Sequence, residues 1–144
     1  MKRTFFLSVI FLSFSSAYAG WTVGYYPFPY SKVELTSPVE KMFYGGLRLQ
    51  TNSFASNLNS DLYVAWNFKR EERYQYFAGL GLRSNPGNSS QIYQGQFLMV
   101  GIRLYPIKNL PALGLIMDLS PYFHSDFKSG RMESNLGLFW RFGV

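Results

Sequence analysis

The chain has 144 residues, enough for one domain, and contains no cysteine, so neither disulfides nor a thiol active site are available to it. Its formal net charge of +6 at pH 7 suits anionic partners such as phosphate groups. Aromatic residues make up 19% of the chain, a share that is typical of surfaces with belts of rings at membrane interfaces.

Residues 1–19 have the pattern of a secretory signal peptide. A basic start, the short apolar run FFLSVIFLSF and the small-residue site Ala17-Tyr18-Ala19 follow one another. The apolar run is too short to be a spanning helix. We therefore expect a signal peptide at 1–19 and one exported domain at 20–144. In an exported protein we expect no nucleic acid among the partners.

After the signal peptide, apolar and polar residues alternate with period two in eight segments, which is typical of strands with unlike faces. The last segment shows the pattern most clearly, with Leu136, Leu138 and Trp140 on an apolar face and Gly137 and Arg141 on a polar face. In chain order the predicted strands are 21–27, 32–37, 42–51, 62–69, 73–83, 97–105, 113–122 and 131–144.

The order and spacing of these strands favour a closed barrel that crosses a membrane. No later apolar run is long enough for a spanning helix, and only helices and closed barrels satisfy every backbone polar group in lipid. Short turns alternate with longer polar loops at 52–60, 84–90 and 124–130. We therefore predict the all-β class, as an eight-stranded up-and-down antiparallel transmembrane β-barrel in the outer membrane of a Gram-negative bacterium.

Aromatic residues on the apolar face collect near one end of the predicted strands, as rings do at a membrane interface. The predicted periplasmic-side belt is Trp21, Phe43, Trp66, Phe68, Tyr74, Tyr76, Trp140 and Phe142. A soluble barrel has no reason to place outward rings at a common height. The alternatives are a soluble β-sandwich whose core is the apolar face, and a soluble periplasmic β-barrel that binds an apolar ligand.

The polar face carries charged residues, including Lys32 and Lys69, that would lie in the narrow interior of an eight-stranded barrel. An unpaired buried charge costs several kcal/mol, so we expect these charges to pair inside a closed lumen without an open pore. The predicted lumenal ion-pair network is Arg48, Arg103, Arg141, Glu34, Asp118 and Glu133. Inward glycines such as Gly46 and Gly114 would make room for the long side chains.

These features resemble the small eight-stranded outer-membrane barrels of the OmpA and OmpX type, and bacterial proteins assigned to broad outer-membrane β-barrel groups. The resemblance covers the mature chain as a pattern, and includes the C-terminal run Leu136-Gly-Leu-Phe-Trp-Arg-Phe-Gly-Val144. Such families usually end in Phe or Trp, which the barrel-assembly machinery reads, whereas this chain ends in Val144. We expect a monomer, with outer-membrane lipid, lipopolysaccharide and the assembly machinery as partners.

The single histidine, His124, is the weak candidate for a catalytic residue. Some small outer-membrane barrels are lipid A deacylases or acyltransferases that use His and Ser near the outer rim. Adjacent strand residues point to opposite faces, so His124 and Ser125 cannot both face one substrate within a strand. We therefore expect a solvated rim histidine in a structural or surface-interaction protein, with a lipid A-modifying enzyme as the alternative. We expect no metal and no cofactor, since no residues have ligand spacing.

Overall fold

The computed structural model describes residues 20–28, 30–51 and 58–143, and the predicted signal peptide at 1–19 lies outside them. Eight antiparallel strands form a closed barrel, in which each strand pairs with its neighbours in chain order and the first pairs with the last. The predicted all-β class and eight-stranded antiparallel barrel are therefore confirmed. No helix in the described part of the chain is long and apolar enough to span a membrane.

Alternation predicts the positions of the strands well and their ends less well. The strands are β1 Thr22–Phe28, β2 Lys32–Thr36, β3 Phe43–Thr51, β4 Leu58–Arg70, β5 Tyr74–Ser84, β6 Tyr93–Leu104, β7 Leu113–His124 and β8 Gly130–Arg141. Two strands start four residues earlier than predicted, at Leu58 and Tyr93. In the first, Asn59 still pairs with Gln50 of β3. Backbone pairing therefore continues past the point along each strand where the outward-facing side chains are no longer all apolar.

The two ends of the barrel differ in what they carry. At one end the described termini meet, since the N–H of Gly20 donates to the carbonyl of Phe142 at 2.7 Å. This end, called the terminal end below, also holds the connections after β2, β4 and β6, which have six, three and eight residues. The opposite end, called the loop end, holds the connections after β1, β3, β5 and β7, which have three, six, eight and five residues. The two sets are of similar length, so the predicted alternation of short turns and longer loops is wrong, because strand pairing extends into the predicted loops.

Burial alternates along each strand with the polar face inside. In β4, Asp61, Tyr63 and Ala65 are buried, whereas Leu62 and Val64 are exposed. Large apolar side chains face outward on every strand, and charged and aromatic side chains fill the interior. A soluble domain has the opposite arrangement, with most aliphatic side chains inside and charged ones in water.

A β-bulge near the end of β4 changes one predicted face. The register shifts between Asn67 and Lys69, so that Lys69 pairs with Tyr76. An extra residue in a strand reverses the faces of the residues that follow it. Alternation places Lys69 on the inner face, and this prediction is wrong. The side chain is exposed, with its Nζ 5.7 Å from the ring centroid of the outward Tyr74.

Inward glycines leave the space that interior rings occupy. A Cβ atom added at Gly46 would lie 2.3 Å from Cζ of Tyr63, and one at Gly114 would lie 2.3 Å from Cζ of Phe139. The adjacent Gly45 faces outward, and its added Cβ would meet nothing closer than a backbone oxygen at 3.6 Å. The absence of a side chain at the inward positions is therefore a packing requirement of the filled lumen.

Candidate functional site

The lumen contains charged side chains that are almost wholly buried. Among the described residues, buried cations and buried carboxylates are equal in number, so their formal charges cancel. These residues, called the lumenal charge network below, are Lys32, Arg48, Arg83, Arg103, Glu34, Asp61, Asp118 and Glu133. Buried charges are tolerated only where partners compensate for their lost hydration.

Arg48 of β3 connects two carboxylates in the middle of the lumen. Its Nε donates to Oε2 of Glu34, and its Nη2 donates to Oδ2 of Asp118 at 2.8 Å. The hydroxyl of Tyr26 also donates to Glu34 at 2.8 Å, and Nδ2 of Asn135 donates to Asp118 at 2.8 Å. Each carboxylate therefore has a charged and an uncharged donor, which is the condition for a stable buried ion pair.

Glu133 of β8 is the centre of a second group, nearer the loop end. It accepts hydrogen bonds from Lys32 at 2.8 Å and from Arg83 at 2.7 Å. Arg83 also holds Asp61 with two parallel bonds of 2.6 and 2.8 Å. Arg131 reaches the same glutamate at 2.7 Å, and 46% of its side chain is exposed. This group therefore extends from the buried lumen to the mouth of the barrel at the loop end.

Arg103 is buried among aromatic rings instead of carboxylates. Its Nη1 donates to the hydroxyl of Tyr44 at 2.8 Å, and its guanidinium carbon lies 4.6 Å from the Tyr44 ring centroid and 4.5 Å from that of Phe77. Within the described ranges its Nε and Nη2 have no hydrogen-bond partner. The other buried cations number three against four carboxylates, so Arg103 supplies the remaining positive charge through space and through cation–π contacts.

Arg141 lies at the mouth of the terminal end. Its Nη1 donates to Oε1 of Glu40 at 2.8 Å, and its Nη2 donates to the carbonyl of Pro111 at 3.2 Å. Its guanidinium carbon lies 5.2 Å from the ring centroid of Tyr105. Burial raises the pKa of the Tyr105 hydroxyl, which donates to Gln75 at 3.3 Å. Arg141 therefore pairs with a carboxylate of the β2–β3 turn.

The structure joins four of the six charged residues that were predicted as one network and places the other two elsewhere. Glu34 and Asp118 lie together around Arg48. Glu133 is linked to them through Lys32, which donates to Glu133 at 2.8 Å and to Oδ1 of Asn135 at 2.9 Å, and Asn135 in turn donates to Asp118. Arg103 and Arg141 lie nearer the terminal end, each with the contacts described above. The alternating pattern predicts that these residues share one face of the sheet. The structure shows that they lie at different heights along the barrel axis.

Asp61 is the functional candidate that sequence reasoning missed. It directly precedes the apolar run 62–69 and looks like a loop residue unless β4 is extended. In the observed register it lies opposite Arg48 of β3 and Arg83 of β5. Continuing the alternation of β4 one residue toward the N-terminus would have placed it on the charged inner face.

Rings of the predicted belt touch one another on the outer wall. The ring centroids of Trp66 and Phe68 are 5.9 Å apart, those of Phe68 and Tyr76 are 6.1 Å apart, and Tyr74 lies 5.5 Å from Tyr76. Phe43 lies opposite Trp66 in the β3–β4 register. These rings form one continuous aromatic strip near the terminal end.

The other predicted belt residues lie at the same end. Trp140 pairs with Val23 of β1 and with Leu113 of β7. The N–H of Phe142 donates to the carbonyl of Trp21 at 2.8 Å, which places both residues at the β1–β8 seam. The predicted belt residues therefore share one end of the barrel.

His124 closes the turn between β7 and β8. Its N–H donates to the carbonyl of Ser129 at 3.0 Å, and its carbonyl accepts from the N–H of Phe127 at 2.9 Å. The exposed imidazole lies edge-on to Tyr122, with the ring centroids 5.1 Å apart. These contacts are those of a turn residue.

In the part of the chain that the structure describes, no group of three or more His, Cys, Asp or Glu is placed to hold a metal ion.

Comparisons with protein-family models, with curated proteins and with solved structures each find no significant match. The class of this protein therefore rests on its own geometry. It is a closed eight-stranded antiparallel barrel with an apolar exterior and a lumen filled by charged and aromatic side chains.

Proposed function

We propose that this chain is an integral outer-membrane β-barrel with a closed lumen and a structural or surface-interaction role. One observation carries the proposal: large apolar side chains are exposed on all eight strands, such as Leu80 at 64% and Leu98 at 53%. An apolar wall of this extent would cause aggregation in water. In lipid it is the expected surface, because hydrocarbon solvates aliphatic side chains and closure leaves no unpaired strand edge.

The filled lumen supports a role other than that of an open pore. Arg48 bridges to Asp118 across the interior, and Arg103 crosses to Tyr44 nearer the terminal end. A soluble barrel that binds an apolar ligand needs an apolar interior, and charged side chains occupy this one. The contacts of His124 give no support to a lipid A-modifying enzyme.

Membrane insertion is tested by expressing the full chain in a Gram-negative host. We expect the protein in the outer-membrane fraction, resistant to extraction by urea, with different gel mobilities for boiled and unboiled samples. A matched control that lacks residues 1–19 should not reach that fraction. Recovery of the full chain as a soluble periplasmic protein, or identical mobility before and after boiling, would contradict the proposal.

The non-enzymatic role is tested separately, by mass analysis of lipid A from the same host. We expect the lipid A of cells that express the wild-type chain to match that of cells with an empty vector. A mass change that appears with the wild type and disappears with His124→Ala would support the lipid-modifying alternative instead.

A further inference from the structure

A small cup lies in the mouth of the barrel at the terminal end. Its volume is about 280 Å³, and its walls come from the β4–β5 turn, the β6–β7 connection and the end of β8. The charged residues that line it are Glu71, Glu72, Arg73, Lys108 and Arg141. The buried ring of Tyr105 also lines it. The cup thus combines an aromatic surface with charges of both signs.

Arg141 in this cup has a donor without an acceptor. Its Nη groups are held by Glu40 and by the carbonyl of Pro111, whereas its buried Nε has no hydrogen-bond partner among the described residues. A buried N–H without an acceptor is costly. A ligand carboxylate in the cup would reach this Nε–H only by replacing an Nη contact, because the planar guanidinium group turns as a unit. Arg–carboxylate hydrogen bonds are among the strongest in proteins, so such an exchange would keep the charge of Arg141 paired.

The size and charges of the cup limit what it can hold. Its volume corresponds to about nine molecules of liquid water, which is less than a drug-sized ligand needs. Arg73 and Lys108 attract a carboxylate, as does Arg141, whose charge is already paired with Glu40. The carboxylates of Glu71 and Glu72 attract an ammonium group. An amino acid or a dipeptide carries both groups within this volume.

We propose that the cup binds a small zwitterion, an amino acid or a dipeptide. The ligand carboxylate faces Arg73, Lys108 and Arg141, and its ammonium group faces the two glutamates of the β4–β5 turn. This proposal depends on the proposed function only for the compartment in which the ligand is found. In an outer-membrane barrel whose terminal end faces the periplasm, the cup opens to the periplasm.

The test is an NMR titration of the isotope-labelled full chain in detergent micelles with glycylglycine. We expect the Nε–H signal of Arg141 to shift and to saturate with a Kd of about 1 mM, as suits a few charged contacts on a small ligand. Acetate and methylamine each carry one of the two charges, so each should bind about tenfold more weakly. No saturable shift, or the same saturable shift with sodium chloride, would overturn the proposal, the latter as an adventitious ion only.

Charge-removing variants test which residues hold the ligand. Lys108→Gln and Glu72→Gln should each weaken glycylglycine binding about threefold to tenfold, because each removes one charged contact. The matched control is Lys69→Gln, since Lys69 is exposed near the same end but lies on the outer wall over Tyr74. Equal losses in all three variants, or none in the first two, would refute the assignment.

The outcome for the cup is separable from the outcome for the barrel. Each variant is also run unboiled and boiled on a gel, which reports the closed barrel whether or not ligand binds. Heat-modifiable migration without binding rejects the cup alone. Binding by a chain that fractionates as a soluble protein rejects the outer-membrane proposal alone.

Discussion

Arg48 and Asp118 are seventy positions apart in the chain, and their side chains meet inside the lumen at 2.8 Å. Arg48 lies on β3 and Asp118 on β7, which are not neighbours in the barrel. An eight-stranded barrel is narrow enough for one arginine to reach the opposite wall. Backbone ladders therefore hold neighbouring strands together, whereas the lumenal charge network holds opposite walls together.

Removing the charge of Arg48 should strongly destabilise the protein. Arg48→Met keeps much of the side-chain length but leaves Glu34 and Asp118 buried without their cation. Breaking a buried ion pair from one side costs about 3–5 kcal/mol. The free energy of unfolding, measured by denaturant titration in lipid vesicles, should fall by about this amount.

The matched control for this prediction is Arg131→Met. Arg131 is partly exposed, and its partner Glu133 keeps Lys32 and Arg83, so the loss should stay below about 1 kcal/mol. If the two variants were equally stable, the lumenal charge network would not hold the barrel together in the way described.

Two adjacent glycines of β3 should respond differently to the same substitution. Gly46→Ala places a methyl group 2.3 Å from the buried ring of Tyr63, whereas the methyl group of Gly45→Ala points outward and meets only a backbone oxygen at 3.6 Å. Overpacking of a filled interior costs about 1–3 kcal/mol. We expect denaturant titrations to show a loss of this size for Gly46→Ala and little change for Gly45→Ala. The reverse order of stability would mean that the faces of β3 are assigned wrongly.

A charge on the outer wall should show whether that wall faces lipid. Leu80 lies in the middle of β5, opposite Val64 and Leu98. An arginine near the bilayer midplane costs about 2–4 kcal/mol, so Leu80→Arg should lower the free energy of unfolding in vesicles by that amount. In a soluble barrel the same change at an exposed site would cost little.

Phe127→Arg is the control for the outer wall. Phe127 is 74% exposed in the β7–β8 turn at the loop end, beyond the apolar rows. We expect no measurable loss of stability there. A loss equal to that of Leu80→Arg would indicate a general effect of added charge on refolding.

Tryptophan fluorescence should report the height of the aromatic strip. The three tryptophans of the chain, Trp21, Trp66 and Trp140, lie near the terminal end. Rings at a membrane interface sit at headgroup level. Lipids brominated near the headgroup should therefore quench the emission of refolded protein more than lipids brominated at the chain end. Stronger quenching by the deep bromines would place these rings in the hydrocarbon core.

Alternation was sufficient to predict the fold because the side-chain period of a strand is two and both faces here are distinctive. It placed Glu34, Arg48 and Asp118 on the inner face, where the structure has them. It could not predict the partner of Arg103, because face assignment gives no height along the barrel axis. The height depends on the stagger between strands, which follows from long-range pairing.

The bulge in β4 shows a second limit of sequence reasoning. One extra residue between Asn67 and Lys69 moves the lysine to the outer wall without any change in the alternating pattern. Asp61 was missed for a related reason, since its strand continues beyond the apolar band. Both errors lie at strand ends, where the backbone is still paired but the side chains no longer alternate between apolar and polar.

In the outer-membrane barrel proposed above, the lumenal charge network would constrain how the chain enters the bilayer. Arg48 belongs to the N-terminal half of the barrel, and its partner Asp118 belongs to the last hairpin. A sheet of the early strands alone would leave this guanidinium group with Glu34 but without Asp118. Its uncovered side would then face hydrocarbon, where an arginine near the midplane costs about 2–4 kcal/mol. For a barrel in lipid, insertion of the first strands ahead of the last would therefore be unfavourable, and we expect the β1–β8 seam to form as the chain leaves the aqueous phase.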